Sequence, residues 1–281
     1  MKPALNSLTE PFEFVRLPDR RQPKPRIRGL TMMVDPGLPA LYQEDLLDMA
    51  GQHIDLAKIK TGTARFYPEA VLRRKLAAYR DHDVKPFIGG QFHEYVFAVY
   101  GEGSLGKFYT EAKRLGFATI EISDNIVPLT DKARAVQIRA ACDAGLEVFG
   151  EVGAKDRRST ASELIDQAGI CFEAGASLVL VEAAELVLDG KPNKPLLAEL
   201  GAALDMSRIM FELPGPWIPE VRHCDIEYLR KLLIAELGPD VNLANVAPNT
   251  IIDLEAGRCS LGTAGPGLVL AEKARVAAAA L

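Results

Sequence analysis

From Gly29 onward, short apolar runs rich in β-branched and aromatic residues alternate with longer stretches that have helical periodicity. The apolar runs predict eight strands: Gly29–Val34, Ile54–Lys60, Val84–Gly89, Phe117–Ser123, Leu146–Val152, Ser177–Ala183, Ser207–Leu213 and Val241–Val246. The intervening stretches predict helices: Tyr42–Gln52, Pro68–Asp81, Gly106–Leu115, Thr130–Asp143, Ser162–Ala174, Leu196–Leu204 and Asp225–Leu237. Alternating βα units form a parallel sheet, and eight of them close into a barrel. The pattern therefore predicts an α/β fold, a single-domain (β/α)8 TIM barrel.

The predicted barrel occupies residues 29–281, and the proline-rich residues 1–28 are expected to form an extended N-terminal arm. The alanine-rich stretch Gly267–Leu281 predicts a final amphipathic helix. An open doubly wound sheet is the competing fold, and it would place a glycine-rich phosphate loop after its first strand. The chain has Asp35-Pro36-Gly37 there in place of such a loop, which favours the barrel.

Composition and charge limit the kinds of partner that the protein is expected to bind. The 281 residues are 25% charged, with a formal net charge of −5 and no long cluster of lysine and arginine. A nucleic-acid partner is therefore not expected. The first thirty residues lack the apolar core of a signal peptide, and no run reaches the roughly 18 apolar residues of a membrane span. We expect a cytoplasmic protein without a membrane partner.

Acidic residues follow several of the predicted strands. Barrel active sites lie at the C-terminal ends of the strands, so carboxylates there are expected to converge on one mouth. Converging carboxylates repel unless a cation lies among them, and Mg²⁺ prefers oxygen ligands of this kind. The expected metal ligands are Glu121, Asp124, Glu151, Glu182 and Glu212. The alternative is that Glu182 and Glu212 form internal ion pairs with a lysine or with Arg208.

Other polar and glycine residues near the strand ends are candidates for binding a small anionic substrate. They are Asp35, Lys58, Thr63, Gly89, Gly90, His93, Asn242 and Asn245. Glycine allows close backbone approach to a ligand, and the backbone N–H groups at Gly89 and Gly90 can bind an anion. Of the two lysines Lys58 and Lys60, only one is expected to face the barrel axis: Lys58 is the expected one, and Lys60 is expected to pair with a helix.

Lys155 follows Glu151 by four residues, at the end of the same predicted strand. A lysine beside carboxylates is held cationic and can donate a proton, whereas a lysine in an apolar pocket loses its proton and can form a Schiff base. The nearby carboxylate favours the proton donor. Glu151 and Lys155 are therefore the expected catalytic residues.

Several segments of the chain resemble the phosphosulfolactate synthase family. They are Arg28–Met32, Asp35–Pro39, Gly62-Thr63, Gly89-Gly90, Gly116–Asp124, Glu151–Lys155 and Val241–Ala247. The resemblance implies a TIM barrel that adds sulfite to phosphoenolpyruvate with Mg²⁺, and it places the catalytic lysine of the family at Lys155. It also implies a homo-oligomer, with a trimer as one option. Plant heat-stress-associated proteins belong to the same family.

The chain departs from the family pattern after three strands. The family sequence Glu-Gly-Arg-Glu-Ser-Gly is replaced by residues 182–187, and Gly-Leu-Arg-Gly-Asp-Thr by residues 260–265, so two arginines are missing. Trp217 stands in a loop that is polar in the family. Arginine binds phosphate and sulfonate bidentately, so these changes favour a less anionic or more apolar substrate. Two alternatives stay open: a class I aldolase with Lys155 or Lys58 as the Schiff base, and a non-catalytic stress-associated barrel.

Overall fold

The computed structural model describes residues 11–17, 21–153, 158–188, 191–215 and 221–261. Eight parallel strands close into a barrel, which confirms the predicted TIM barrel and a single domain. The barrel strands are β1 (Thr31–Asp35), β2 (Leu56–Ile59), β3 (Lys85–Ile88), β4 (Thr119–Ile122), β5 (Glu147–Val152), β6 (Leu178–Glu182), β9 (Ile209–Glu212) and β10 (Leu243–Val246). Neighbouring strands pair in the order β1-β10-β9-β6-β5-β4-β3-β2. A two-stranded hairpin, β7 (Val187–Leu188) and β8 (Lys191–Pro192), follows β6.

Helices surround the barrel and alternate with its strands. They are α1 (Ala40–Ala50), α2 (Glu69–Asp81), α3 (Gly90–Tyr100), α4 (Leu105–Leu115), α5 (Asp131–Asp143), α6 (Ala161–Ala174), α7 (Lys194–Ala203), α8 (His223–Leu237) and α9 (Ile251–Arg258). The pattern did not predict α3 or α9, and the predicted helix Gly267–Leu281 lies outside the described residues. Among the described residues, no helix has both the length and the apolarity needed to span a bilayer.

The apolar core has two layers, because barrel strands bury both faces. The inner layer fills the barrel axis with side chains such as Met32, Leu56, Phe149 and Met210. The outer layer lies between the strands and the helices and includes Met33 and many helix residues. Alternation along each strand therefore decides whether a side chain faces the axis or a helix.

Residues 21–28 of the N-terminal segment lie against the end of the barrel where the strands begin. Arg21 forms an ion pair with Glu255 of α9 and donates a hydrogen bond to Thr31 Oγ1 at 3.1 Å. Lys24 Nζ donates to the backbone carbonyl of Gly51 at 2.9 Å. These contacts cover the N-terminal end of the barrel and leave the C-terminal end, where the polar side chains gather, to the βα loops.

Candidate active site

A small polar pocket of about 40 Å³ lies at the C-terminal end of the barrel. In barrels this end carries the chemistry. Lys58 continues the inward face of Leu56, Glu151 that of Phe149, and Glu212 that of Met210. The residues lining the pocket are Val34, Lys58, Lys60, Thr61, Gly89, Gly90, Gln91, Glu121, Asn125, Glu151, Glu212 and Asn245.

Lys58 forms two ion pairs across the mouth of the barrel. Its Nζ lies 2.8 Å from Oε2 of Glu121 and 2.7 Å from Oε1 of Glu212. The side chain of Lys58 is 12% exposed, and those of Glu121 and Glu212 are 1% and 3% exposed. Although burial by itself lowers the pKa of Lys58, the attraction of Glu121, Glu212 and Glu151 outweighs it and raises the pKa above the ordinary lysine value. Lys58 is therefore held as an ammonium ion.

Three buried carboxylates converge beside this ammonium. Glu121, Glu151 and Glu212 each place an oxygen within 4.8 Å of the others. Burial, together with the negative charges of Glu151 and Glu212, raises the pKa of Glu121 to about 8, although Lys58 opposes the shift. The all-oxygen donor set fits a hard divalent cation, so these three side chains could bind a metal ion.

The first turn of α3 closes one side of the pocket. Gly90, the first residue of the helix, donates its backbone N–H to Oε1 of Glu121 at 2.9 Å. A Cβ atom at Gly90 would lie 2.1 Å from Ser123 Oγ and 2.9 Å from Glu121 Oε1, which no side chain can tolerate. Glycine is thus required here for the helix to approach the carboxylate. Both Gly89 and Gly90 line the pocket, where the sequence places them as candidates.

Lys60 also lines the pocket, so the expectation that only one of the two lysines faces the mouth is wrong. Strand β2 ends at Ile59, and Lys60 begins a 3-10 segment that reaches Phe66. Residues two apart along a strand share a face, so Lys60, directly after the strand, lies on the same side as Lys58. Partial burial, and then the charge of Lys58, lower the pKa of Lys60.

Asn245 lines the pocket from β10 and adopts a left-handed backbone conformation, with φ of 58°. The pairing of β1 with β10 is irregular at this point, between the pairs Thr31–Leu243 and Met33–Val246. The Asn245 side chain donates a hydrogen bond from Nδ2 to the backbone carbonyl of Leu213 at 3.3 Å. A positive φ at a residue other than glycine is uncommon and is found often at functional sites.

Asp35 and Asn242 lie away from the pocket. Asp35 is on the outward face of β1 with Met33, fully buried, and accepts hydrogen bonds from Tyr79 at 2.8 Å while pairing with Lys75 at 2.9 Å. Asn242 precedes β10 at the opposite end of the barrel, where its Nδ2 donates to the Ile209 carbonyl at 2.8 Å. Both side chains hold the scaffold together in the structure.

His93 and Thr63 also stand apart from the pocket lining. His93 is 1% exposed, stacks on the ring of Tyr109 and lies with Nε2 3.0 Å from its hydroxyl, between α3 and α4. Burial lowers the pKa of His93 to about 4, so the imidazole is neutral at physiological pH. Thr63 lies further along the 3-10 segment that Lys60 begins.

Of the five expected metal ligands, Asp124 and Glu182 are not in the converging group. Asp124 pairs with Arg134 of α5 at 2.7 Å, and the same guanidinium donates to the backbone carbonyl of Glu151 at 2.6 Å. Glu182 ends β6 beside Glu212, its partner in the strand register, and is 5% exposed. The proposed acid Lys155 and the loop residue Trp217 lie outside the described residues.

Two residues near the carboxylates were missed by sequence reasoning. Asn125 lines the pocket and donates from Nδ2 to Oε2 of Glu151 at 3.0 Å. Glu94, on α3, accepts hydrogen bonds from the segment that carries Asn125. Asn125 follows Asp124 directly, and a polar loop after a barrel strand is the one signal that could have identified it.

Taken with the closed barrel, carboxylates and a buried ammonium at the C-terminal mouth have the layout of the active site of a (β/α)8-barrel enzyme. A family model described as (2R)-phospho-3-sulfolactate synthase (ComA) matches residues 19–263. The chain therefore belongs to the phosphosulfolactate synthase family. The phosphosulfolactate synthase relatives indicate an enzyme of the lyase type, which forms a carbon–sulfur bond and takes a small-molecule substrate.

The relatives are similar along most of their length. The phosphosulfolactate synthase of Methanocaldococcus jannaschii is 31% identical over 245 residues, 83% of this chain and 92% of the relative. That of Bacillus subtilis is 29% identical over 253 residues, 86% of this chain and 93% of the relative. The protein HEAT-STRESS-ASSOCIATED 32 of Arabidopsis thaliana is 24% identical over 266 residues, 85% of this chain and 88% of the relative.

Solved structures are similar in fold alone. The carboxyl transferase domain of Rhizobium etli pyruvate carboxylase has a TM-score of 0.54 at 13% identity, covering 80% of this chain and 41% of that one. The 3-hexulose-6-phosphate synthase of Salmonella typhimurium has a TM-score of 0.50 at 14% identity, covering 83% of this chain and 95% of that one. At these identities the likeness supports the barrel and says nothing about the reaction.

Proposed function

We propose that the protein catalyses the Mg²⁺-dependent addition of sulfite to phosphoenolpyruvate, or of a related nucleophile to a similar enol or 2-oxo acid. The observation that carries the proposal is the group Glu121, Glu151 and Glu212 around Lys58, at the mouth of a barrel whose family forms carbon–sulfur bonds. Buried charges of this number are costly for a scaffold, which argues for a use in catalysis.

Glu121, Glu151 and Glu212 would hold the Mg²⁺ ion, since they supply only oxygen donors within reach of one another. When bound, a divalent cation stabilises negative charge that develops on substrate oxygens. The charge balance of the pocket supports this proposal. With its pKa raised to about 8, Glu121 is largely protonated at neutral pH, and a divalent cation bound among the carboxylates would displace that proton and add positive charge in favour of an anionic substrate.

The proposed reaction forms one bond and moves one proton. The sulfur lone pair of sulfite attacks the methylene carbon of phosphoenolpyruvate, and the π electrons of the carbon–carbon double bond move into the carboxylate as an enediolate. A proton delivered to the adjacent carbon then completes phosphosulfolactate, with the phosphate ester intact. The family resemblance assigns the proton donor to Lys155, and general acid catalysis of this kind contributes about 10²–10⁴-fold in rate.

Lys58 would act as a fixed positive charge beside the developing enediolate. Its position between Glu121 and Glu212 keeps it protonated, as the direction of its pKa shift indicates. A Schiff base requires a neutral amine, so these ion pairs argue against Lys58 as the nucleophile of a class I aldolase. A class I aldolase mechanism would therefore have to use Lys155 as the Schiff-base lysine.

The departures from the family pattern define the alternative substrate. Two family arginines are replaced in residues 182–187 and 260–265, and Lys60 at the pocket rim is a cation that could bind the substrate phosphate in their place. If Lys60 does not compensate, the substrate is a less anionic enol or 2-oxo acid. From the resemblance we also infer a homo-oligomer, which sedimentation of the purified protein would test.

Product analysis by mass spectrometry tests the proposal. Incubation of the protein with phosphoenolpyruvate, sulfite and Mg²⁺ is expected to give an adduct that contains both reactants and keeps the phosphate. EDTA and the Lys155→Ala substitution should each abolish the adduct. Product that forms equally well with EDTA would refute the Mg²⁺ step, and undiminished product from Lys155→Ala would refute the assigned acid.

A further inference from the structure

The carboxylate of Glu94 organises the segment that follows β4. Its Oε1 accepts hydrogen bonds from Ser123 Oγ at 2.5 Å and from the backbone N–H of Asn125 at 3.1 Å. Its Oε2 accepts from the backbone N–H groups of Ile126 at 2.6 Å and Val127 at 3.0 Å. Glu94 is 2% exposed, so one buried side chain satisfies four donors of a single loop.

This loop carries Asn125 to the pocket. With the Asn125 backbone N–H bound to Glu94, the Asn125 side chain donates from Nδ2 to Oε2 of Glu151 at 3.0 Å. Glu151 is 4% exposed and is one of the three converging carboxylates. The orientation of its carboxylate thus depends on a donor whose own backbone is fixed by α3.

The same helix also reaches the second carboxylate. Gly90 and Glu94 are four residues apart on α3 and therefore lie on one helix face. Gly90 donates its backbone N–H to Glu121, while Glu94 binds the loop of Asn125. A single helical turn is in this way connected to Glu121 directly and to Glu151 through one intermediate residue.

We propose that Glu94 is a positioning residue that orients the Glu151 carboxylate through Asn125 and so sets the affinity of the site for a divalent cation. The role of Glu151 in this proposal rests on the proposed function. Partners outside the ligand shell fix the orientation of metal ligands, and their loss typically weakens metal affinity 10- to 100-fold. Glu94 touches neither metal nor substrate in this arrangement and acts through the loop.

Isothermal titration of the protein with Mg²⁺ alone tests the proposal, using Asn125→Ala, Glu94→Gln and the double variant. In Glu94→Gln an amide N–H₂ group faces backbone donors, so the loop loses acceptors without a large change in volume. We expect each single variant to weaken Mg²⁺ binding about 10-fold. Because both act on the same contact, the double variant should be no weaker than Asn125→Ala by more than about 2-fold.

Tyr109→Phe is the matched control. The substitution removes the hydroxyl that contacts His93, the residue next to Glu94 on α3. Tyr109 has no described contact with the loop of Asn125. The Mg²⁺ affinity and kcat of Tyr109→Phe should equal those of the wild-type protein. Near-UV circular dichroism identifies any variant that fails to fold. If Glu94→Gln fails to fold, Asn125→Ala, on a partly exposed loop, still tests the contact with Glu151.

The outcomes separate this proposal from the proposed function. Wild-type affinity in Glu94→Gln, or losses in the double variant that multiply to about 100-fold, would overturn the positioning role. If sulfite addition fails in the wild-type protein while Mg²⁺ still binds in the expected order, the proposed reaction is wrong and the positioning role stands. In an active enzyme, Glu94→Gln should lower kcat at saturating Mg²⁺ by less than it lowers Mg²⁺ affinity.

Discussion

The ammonium group of Lys58 lies 2.8 Å from Oε2 of Glu121, across the mouth of a barrel in which their strands are not neighbours. Glu212 accepts a second ion pair from the same nitrogen at 2.7 Å. Strands β2, β4 and β9 are thereby connected at their C-terminal ends by one side chain. This arrangement explains how charges of both signs are kept together in a buried site.

Lys58→Met is expected to destabilise the protein when metal is absent. The substitution leaves Glu121 and Glu212 buried without their ammonium partner, and breaking a buried pair costs about 3–5 kcal/mol. Urea denaturation in EDTA measures the loss, and Mg²⁺ should restore part of it by replacing the missing positive charge. Lys85→Met is the control: its ion pair with Glu147 is exposed, so its removal should cost less than about 1 kcal/mol.

The raised pKa of Glu121 predicts how stability changes with pH. The folded-state pKa of about 8 lies above the ordinary value of 4.5, so the folded protein retains a proton that the unfolded chain releases between these values. The contribution of Glu121 to stability is therefore greatest below pH 4.5 and is lost as the pH rises through 8. Lys58 is cationic in both states over this range and adds no slope.

Glu121→Gln removes this titration and should flatten the decline in stability between pH 5 and 8. The difference in slope between the two proteins is expected to approach about 1 kcal/mol per pH unit in metal-free buffer. Chemical denaturation at several pH values gives the comparison. A slope that is the same in both proteins would mean that Glu121 does not titrate in this range.

Gly90→Ala is expected to abolish activity and lower stability. The added Cβ would lie 2.1 Å from Ser123 Oγ and 2.9 Å from Glu121 Oε1, so α3 must shift away from the pocket. A loss of about 1–3 kcal/mol is typical of such overpacking. Gly169→Ala, in the interior of α6 with no atom within 4 Å of the new Cβ, should instead raise stability by up to about 1 kcal/mol. Thermal unfolding of both variants tests the contrast.

Borohydride reduction in the presence of a 2-oxo acid such as pyruvate distinguishes a metal-stabilised enediolate from a Schiff base. A protonated Lys58 between two carboxylates cannot condense with a carbonyl, and Lys155 is proposed as a proton donor. Intact-mass spectrometry should therefore find no adduct on the protein. A covalent adduct that maps to Lys58 or Lys155 would replace the proposed mechanism with that of a class I aldolase.

Strand periodicity was sufficient to predict the barrel and three of its inward carboxylates, because Glu121, Glu151 and Glu212 each continue the inward face of a strand. It could not orient Asp35, since both faces of β1 are buried and hydrophobicity does not distinguish them. Asn242 is far from the pocket because it precedes its strand, where side chains meet the opposite end of the barrel. Its position therefore depended on where β10 begins, which the sequence pattern did not locate to the residue.

Helix α3 was missed for a related reason. It begins with glycine, and its second half is apolar on every side, so neither a capping residue nor an amphipathic period marks it. The roles of Glu94 and Asn125 could not be predicted from the sequence, because their hydrogen bonds join segments about thirty residues apart. Local patterns carry no information about such pairs.

Proton NMR of the vinyl protons of phosphoenolpyruvate is the most direct test of the central claim, that the carboxylates and lysines at this mouth promote addition to an enol phosphate. With the protein, Mg²⁺ and sulfite, the vinyl signals are expected to disappear, whereas they should persist without sulfite or with Glu151→Gln. Vinyl signals that stay unchanged in the complete mixture would contradict the claim and direct the search to less charged enol and oxo acids.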